Sequence, residues 1–134
     1  MNAFIVELEN KPGELARITE AIGLRGINIL GLTGATCNGS GSVVLYTNDE
    51  EGTRSALAAA GCRPREAELV VGSVAHQPGA FAEIARKLAE GGINLEAVLP
   101  TGMDGGSMLV AFATDNPSKT RELIGERVGA TAQQ

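Results

Sequence analysis

The sequence repeats itself once along its length. Aligned with itself at a shift of 66 residues, the chain places Pro12-Gly13 on Pro78-Gly79. The alignment needs no gap, and further matching pairs are Asn28 with Asn94, Gly39 with Gly105, Val44 with Val110, Asp49 with Asp115, and Leu57 with Leu123. Two copies favour a pair of domains over a solenoid, which needs three or more repeats. We therefore divide the 134 residues into two units, 1–67 and 68–134.

The first copy predicts a strand, a helix, a hairpin of two strands and a second helix. Phe4, Val6 and Leu8 alternate with other side chains, as in a half-buried strand. Pro12 suits the first position of a helix, and Gly26 suits its C-terminal cap. The remaining elements are strands at 27–36 and 43–47, a hairpin turn at 38–41 and a helix at 53–60.

The second copy repeats this plan. It predicts a strand at 69–75, a helix at 78–89, two strands at 93–99 and 107–113 with a turn at 103–106, and a last helix to 126. Asn116 offers an N-cap to that last helix, and Asp49 and Asp115 are also explained as helix caps. Residues 129–134 lack a β-branched apolar run, so we expect a frayed tail there.

This order of elements predicts an α+β fold. Strand, helix, strand, strand, helix, strand is the ferredoxin-like βαββαβ plan. Its right-handed crossovers place both helices on one face of an antiparallel sheet. We therefore expect two ferredoxin-like units, the second with a weak or absent final strand.

Composition excludes several classes of function. The net charge of −5 and the pI near 4.9 oppose a nucleic-acid surface, and no stretch is long and apolar enough to span a bilayer. Cys37 and Cys62 have neither a disulfide framework nor metal-ligand spacing, so we expect small packed hydrophobes. These features predict a cytoplasmic protein without metal or cofactor.

Catalytic groups are missing from the sequence. His76 is the only histidine, and no nucleophile–base pair can be assembled from the chain. The glycine-rich stretch 102–106 has no following Lys-Ser/Thr, so it predicts a hairpin turn and not a phosphate loop. We do not expect an enzyme.

The repeated motif resembles the signature of the ACT domain, a small regulatory module that binds amino acids. The first copy is Leu8-Glu9-Asn10-Lys11-Pro12-Gly13 followed by Gly26-Ile27-Asn28-Ile29, and the second is Ala75-His76-Gln77-Pro78-Gly79 followed by Gly92-Ile93-Asn94-Leu95. The resemblance covers nearly the whole chain. It implies that an amino acid binds between neighbouring units, near the strand-to-helix loop.

Ligand residues follow from this resemblance position by position. In ACT domains of this pattern, loop and second-strand asparagines hold the ligand, which here implies Asn10 and Asn28. His76 replaces the loop asparagine in the second copy, and Leu8 stands where some members carry a ligand-binding histidine, so the two sites should differ. The full set of candidates is Asn10, Pro12, Gly13, Glu14, Asn28, His76, Pro78, Gly79, Ala80 and Asn94.

Simple physical chemistry agrees with that assignment and also offers a plainer interpretation. A helix N-terminus favours a carboxylate, and Gly13 and Gly79 present no Cβ to an approaching ligand. However, each Pro-Gly pair also suits an ordinary turn. Asn28 and Asn94 could equally satisfy carbonyls at the preceding helix end, and an exposed loop histidine usually has no specific role.

Two functions are compatible with the sequence. The first is a tandem ACT regulatory protein that senses a small L-amino acid at unit interfaces. The alternative is a ligand-independent regulatory or interaction subunit of an amino-acid biosynthetic enzyme, similar to the regulatory subunit of acetolactate synthase. In both cases we expect a homo-oligomer, a dimer, because the apolar strands 27–36 and 93–99 would lie at sheet edges.

Overall fold

The computed structural model describes residues 1–126, which form six strands and four helices. The strands are β1 (Asn2–Glu9), β2 (Ile29–Cys37), β3 (Ser40–Thr47), β4 (Arg65–Ala75), β5 (Leu95–Asp104) and β6 (Ser107–Thr114). The helices are α1 (Glu14–Gly23), α2 (Glu50–Ala59), α3 (Ala80–Glu90) and α4 (Pro117–Ile124). The expected α+β class is confirmed. The tail expected at 129–134 lies outside the described residues.

The chain forms two compact units. The first comprises Asn2–Ala67, and the second begins at Glu68 and also includes Met1. Strand β4 contains the boundary, because its first three residues belong to the first unit and the rest to the second.

In the first unit, β3 pairs antiparallel with both β1 and β2. Helices α1 and α2 pack on one face of these strands, and β2 lies at the edge. The core joins side chains from the strands with side chains from both helices: Phe4, Val6, Val43 and Leu45 with Ile18, Ile22, Ala56 and Leu57. Leu8 lies partly buried against this core.

The second unit has the same plan. Strand β6 pairs antiparallel with β4 and β5, and β5 lies at the edge. Its core joins Val74, Val110 and Phe112 of the strands with Leu88 of α3, and Leu123 and Ile124 of α4 pack against it. Both helices therefore lie on one face of the strands in this unit too.

The Pro-Gly pairs do not begin the helices, so the prediction of proline at the first helical position is wrong. Gly13 has φ 91° and ψ −9°, Gly79 has φ 84° and ψ −14°, and each is the N-cap of the following helix. The amide of Ala80 donates to the carbonyl of Gln77 at 3.3 Å, which closes a turn around Pro78-Gly79. Proline followed by glycine at positive φ is a type II turn. The left-handed glycine prevents the helix from extending back to the proline.

The gapless alignment of the two copies is also wrong from the middle of β5 onward, which includes the hairpin turn. Thr47 and Thr53 hydrogen-bond each other in the first unit, as Thr114 and Thr120 do in the second, which is a shift of 67 residues. Strand β5 contains a register irregularity between Pro100 and Gly102 that has no counterpart in β2. A β-bulge adds one residue to a strand. The extra residue therefore moves every later match by one position.

The corrected register changes the role of Asp115. Asp49 caps α2 by accepting from the amide of Gly52 at 2.9 Å, as expected. Asn116 is the matching cap of α4, whereas Asp115 accepts from the amide of Asn94 at 3.0 Å. The prediction that Asp115 caps a helix is wrong, because it lies one residue too early.

Several smaller predictions also change. Helix α1 ends at Gly23, three residues before Gly26, which has φ 74° in the turn that follows. Helix α2 begins at Glu50 because Asp49 caps it, and α4 ends at Ile124. The hairpin turns narrow to two residues each, Asn38-Gly39 and Gly105-Gly106. Cys62 packs against the core as expected, but Cys37 is exposed next to the turn.

Candidate ligand-binding site

A cavity of about 360 Å³ opens in the first unit between the loop after β1, the first turn of α1 and the β2–β3 hairpin. Ligand cavities in proteins commonly measure about 300 to 1,000 Å³. The walls consist of Leu8, Glu9, Asn10, Lys11, Glu14, Leu15, Leu32, Gly34, Ala35, Thr36, Gly41, Ser42 and Val43. A small organic molecule therefore fits between these three segments.

Two glycines of the hairpin keep this space open. Gly41 pairs with Leu8 on β1 and with Thr36 on β2, so it lies on the same face of the sheet as the core residue Val43. The preceding inward positions of β3, Val43 and Leu45, carry branched aliphatic side chains. A Cβ at Gly41 would lie only 3.0 Å from Thr36 Cγ2, and one at Gly34 would lie 3.2 Å from the carbonyl oxygen of Ser42. The cavity therefore lies beside inward-facing hairpin positions that carry no side chain.

Charged groups surround the mouth of the cavity. The ammonium of Lys11 lies 3.0 Å from Glu9 Oε2, and the pKa of Lys11 is raised by that hydrogen bond and by the charges of Glu9 and Glu14. Glu14 lies 3.3 Å from the guanidinium of Arg17, and its side chain is 15% exposed. Both signs of charge therefore lie within reach of one small ligand.

The N-terminus of helix α1 also lies at this cavity. Its N-cap is Gly13, which provides no side-chain hydrogen bond to the first turn, while Glu14 and Leu15 of that turn line the cavity. The first N–H groups of a helix lack partners within the helix and carry partial positive charge. Such a position favours a carboxylate or another anion.

The predicted first-unit residues divide between this cavity and its surroundings. Asn10 and Glu14 line it. Pro12 and Gly13 form the turn between them, and Gly13 belongs to a shallow surface with Arg17 and Leu24. A Cβ at Gly13 or Gly79 would meet no atom within 4 Å, so their positive φ is what requires glycine.

Asn28 lies at the other end of the sheet. It precedes β2, where its backbone N–H donates to Asn48 Oδ1 at 3.0 Å and its carbonyl accepts from the amide of Asn48. Along β3, Ser40 pairs with Glu9 and Thr47 with Ile29, seven residues apart, which is about 23 Å of strand. One unit therefore does not bring the exposed side chain of Asn28 to Asn10.

The second-unit candidates do not converge on one place. His76 is exposed, and its amide donates to the carbonyl of Gly106 at 3.0 Å. Pro78 and Gly79 form the turn before α3, and Asn94 is held through its backbone by Asp115. Ala80 is buried and lines a different cavity of about 370 Å³, with Ser73, Val74, Ala75, Glu83, Ile84, Arg86, Lys87 and Glu90.

The hairpin residues of the cavity were missed by the motif. Gly34, Thr36 and Gly41 come from outside the Pro-Gly and Gly-Ile-Asn segments that carry the resemblance. A usable signal was present, because Gly41 continues the alternation of Leu45 and Val43 toward the core but has no side chain. Glycine at an inward position often marks a close approach or an open space.

Residues 1–126 contain neither a cluster of metal ligands nor a membrane-spanning helix. No group of three or more His, Cys, Asp or Glu residues in this part of the chain is placed to hold a metal ion. Over the same residues, no helix combines the length and the apolar composition that crossing a bilayer requires.

Solved structures with this fold include regulatory proteins. A protein from Bacteroides thetaiotaomicron is 24% identical, over 91% of this chain and 84% of its own, with a TM-score of 0.74. The ligand-free regulatory subunit of aspartate kinase from Thermus thermophilus is 16% identical, over 92% and 87%, with a TM-score of 0.66. The corresponding subunit from Thermus flavus is 17% identical, over 91% and 86%, with a TM-score of 0.62. No protein-family model and no curated protein matches the sequence significantly.

These similarities define the fold of the chain. It is the ACT-domain fold of the aspartate kinase regulatory subunits, and the resemblance drawn from the repeated motif is confirmed at that level. Sequence identities this low support a shared fold but do not indicate a shared activity.

Proposed function

We propose that this chain is a non-catalytic regulatory protein built from two tandem ACT units, and that it binds a small L-amino acid. The observation that carries the proposal is the cavity beside the first turn of α1. It combines an aliphatic floor with charged groups and helix N–H groups at its mouth. A free amino acid has the same combination of an aliphatic or polar side chain and a zwitterionic head.

The zwitterionic head would lie at the mouth of the cavity. Its carboxylate would accept from the N–H groups at the start of α1 and attract the ammonium of Lys11. Its ammonium would meet Glu14, whose carboxylate lines the cavity. Asn10 would bond either group, because an amide side chain offers both a donor and an acceptor.

A second copy of the chain would complete the site that the motif predicts. Strand pairing places Asn28 and Asn94 at the opposite end of their own units from the Pro-Gly loops, so in this proposal a neighbouring copy supplies them to the ligand. Edge strand β2 offers a route to such a homodimer, because it is nine residues long and carries Leu32 at 39% exposure. Unpaired edge strands tend to pair with another chain. The second-unit candidates His76, Pro78, Gly79 and Ala80 would then form a separate and different site.

The alternative function is a subunit that regulates an enzyme through contact alone. Leu24 favours it, because this side chain is 88% exposed beside a shallow surface formed with Ala16 and Ala21. Similar solved structures include regulatory subunits of aspartate kinase, which is consistent with an enzyme partner here. Such a protein would need no ligand.

A thermal unfolding screen tests the proposal. The full chain would be melted by circular dichroism with each L-amino acid at millimolar concentration, and with the D-enantiomer of each hit as the control. Binding to the native state stabilises by RT ln(1 + [L]/Kd), roughly 2.7 kcal/mol at a hundredfold excess over Kd. We expect at least one L-amino acid to raise the Tm by about 5 °C or more.

The two functions give different outcomes. A shift with an L-amino acid but not with its D-enantiomer supports the ligand-binding function. No shift with any amino acid, and no heat of binding by calorimetry, rejects it and leaves the interaction subunit.

A further inference from the structure

We infer that the cavity of the first unit selects an amino acid with an aliphatic side chain, that Gly41 creates the room for that side chain, and that Met108 fills the corresponding place in the second unit. This inference rests on the proposed amino-acid binding. It adds the class of ligand, the residue that determines it and the expectation of one such site per chain.

Strand pairing establishes that Gly41 and Met108 are equivalent. Gly41 lies between Leu8 of β1 and Thr36 of β2. Met108 lies between Val74 of β4 and Met103 of β5. Both positions are therefore on the central strand, opposite the last inward residue before the Pro-Gly turn.

The two units differ sharply in the size of the side chain at this position of the central strand. Met108 is partly buried and packs against the core that contains Val74 and Val110. In the first unit the same position has only a hydrogen atom, and the space above it belongs to the cavity. The cross-strand neighbours follow the same trend, with Gly34 and Thr36 matched by Pro100 and Met103. A methionine side chain in one unit thus corresponds to empty space in the other.

The lining around Gly41 determines what can occupy that space. Leu8, Leu32 and Val43 provide the inner walls, and Leu15 of α1 lies opposite at 45% exposure. The charged groups lie at the mouth: Glu9 ends β1, Lys11 belongs to the loop and Glu14 begins α1. An amino acid with its charged head at the loop would place its side chain among the aliphatic walls. A charged side chain there would lose water without gaining a partner.

Calorimetry with defined amino acids tests this inference. The wild-type chain would be titrated with L-leucine, L-isoleucine, L-valine, L-alanine, L-serine, L-aspartate and L-lysine. We expect one of the branched amino acids to bind with one ligand per chain, roughly tenfold or more tighter than alanine, because each additional methylene in an apolar pocket contributes substantially to discrimination. Serine, aspartate and lysine should bind more weakly than that ligand.

The variant Gly41→Met places in the first unit the residue that the second unit carries. We expect it to raise the Kd of the branched ligand by about tenfold or more and the Kd of alanine by clearly less. The added side chain fills the inner space and leaves the mouth unchanged. Ser40→Met is the matched control, since it adds the same side chain to an exposed residue of the same strand that does not line the cavity. It should bind like the wild type.

Each contrary result is informative. Three results would overturn the inference but leave amino-acid binding standing. They are tighter binding of serine, aspartate or lysine than of the branched amino acids, two equal sites per chain, and an equal loss of affinity for alanine and for the branched ligand in Gly41→Met. An absence of binding by every amino acid rejects the proposed function itself. Gly41→Ala gives a second test if the methionine variant fails to fold, and it should show the same selective loss to a smaller extent.

Discussion

The hydroxyl oxygens of Thr47 and Thr53 lie 2.7 Å apart, and both residues are buried. Thr47 also accepts from the amide of Asp49 at 3.1 Å, while Thr53 donates to the carbonyl of Asp49 at 2.8 Å. The two hydroxyls thus connect the end of β3 to the first turn of α2. Thr114 and Thr120 repeat the contact at 2.8 Å in the second unit, between β6 and α4.

The paired hydroxyls give a test of the repeat. Thr53→Val and Thr47→Val should each destabilise the protein by about 1–3 kcal/mol, because each leaves buried polar groups without a partner. The double variant should lose less free energy of unfolding than the sum of the two single losses, since the hydroxyls hydrogen-bond each other. We expect a cycle on Thr114 and Thr120 to give a similar coupling energy. Urea unfolding of both cycles would measure this, and additive effects in either pair would contradict it.

The same threonines explain why the sequence alone placed the fold correctly and the register wrongly. Element order follows from periodicity and turn residues, which depend on neighbours in the chain. The extra residue near Thr101 changes no hydrophobic pattern strongly, because residues on both sides of it are compatible with a strand. Only the pairing of β5 with β6 reveals the bulge. A gapless alignment therefore remained plausible past the point where it fails.

The turn before α1 gives a second prediction. Gly13 has φ 91°, a conformation that costs a residue with a Cβ roughly 1–2 kcal/mol. Gly13→Ala should therefore lower the free energy of unfolding by about that amount. Gly23→Ala is the matched control, because Gly23 ends α1 and a Cβ there meets no atom within 4 Å. Alanine should leave stability unchanged or raise it by up to about 1 kcal/mol at that helical position.

Chemical denaturation of both variants would distinguish the roles of the two glycines. Equal effects of the two substitutions would show that the left-handed conformation of Gly13 is not what the turn requires. A Pro-Gly pair in sequence suits both a helix start and a type II turn, and the positive φ that separates them is a property of the backbone. For this reason the sequence placed a helix at this point of the chain correctly but wrongly put Pro12 inside its first turn, whereas the helix begins at Glu14.

Acid should remove stability that Glu66 contributes. The hydrogen bond from Arg54 holds the pKa of Glu66 below its ordinary value of 4.5, with the charge of Arg54 and a bond from Asn2 adding to the effect, while burial opposes it. A carboxyl with a lowered folded-state pKa contributes stability that is complete above the unfolded-state pKa and is lost as the pH falls through the folded-state pKa. The contribution is modest because both side chains are partly exposed, at 49% for Arg54 and 28% for Glu66.

Urea unfolding as a function of pH measures this contribution. We expect Glu66→Gln to be less stable than the wild type at pH 7, and the difference to shrink as the pH falls below the ordinary carboxyl pKa of 4.5 and the wild-type side chain becomes protonated. Glu122→Gln is a control on an exposed residue of α4 and should show no comparable difference at pH 7. A difference for Glu66→Gln that stays constant down to about pH 2.5 would mean that packing, not charge, accounts for it.

The candidate site divides into a part that the sequence predicts and a part that only the fold reveals. Asn10 and Glu14 lie in the loop and helix start that the repeated motif marks, and both line the cavity. Gly41 comes from the hairpin, 27 residues after Glu14 in the chain. Its contribution depends on strand pairing and on the missing side chain. Asn28 shows the opposite case, since the motif includes it while the unit places it at the far end of the sheet.

Asn10 and Asn28 therefore give the last prediction. With the best amino-acid ligand, Asn10→Ala should raise the Kd by about tenfold or more, because it removes a hydrogen bond to a charged ligand group. Its stability without ligand should change by less than about 0.5 kcal/mol, since the side chain is exposed. Asn28→Ala should retain binding at concentrations where the chain is monomeric, because its side chain does not reach the cavity of its own unit. Calorimetry at two protein concentrations, with sedimentation to define the oligomeric state, would measure both variants. A loss in Asn28→Ala that appears only where the chain dimerises would mean that a second copy supplies this asparagine to the ligand. Full affinity in Asn10→Ala would mean that the cavity beside α1 is not where the amino acid binds.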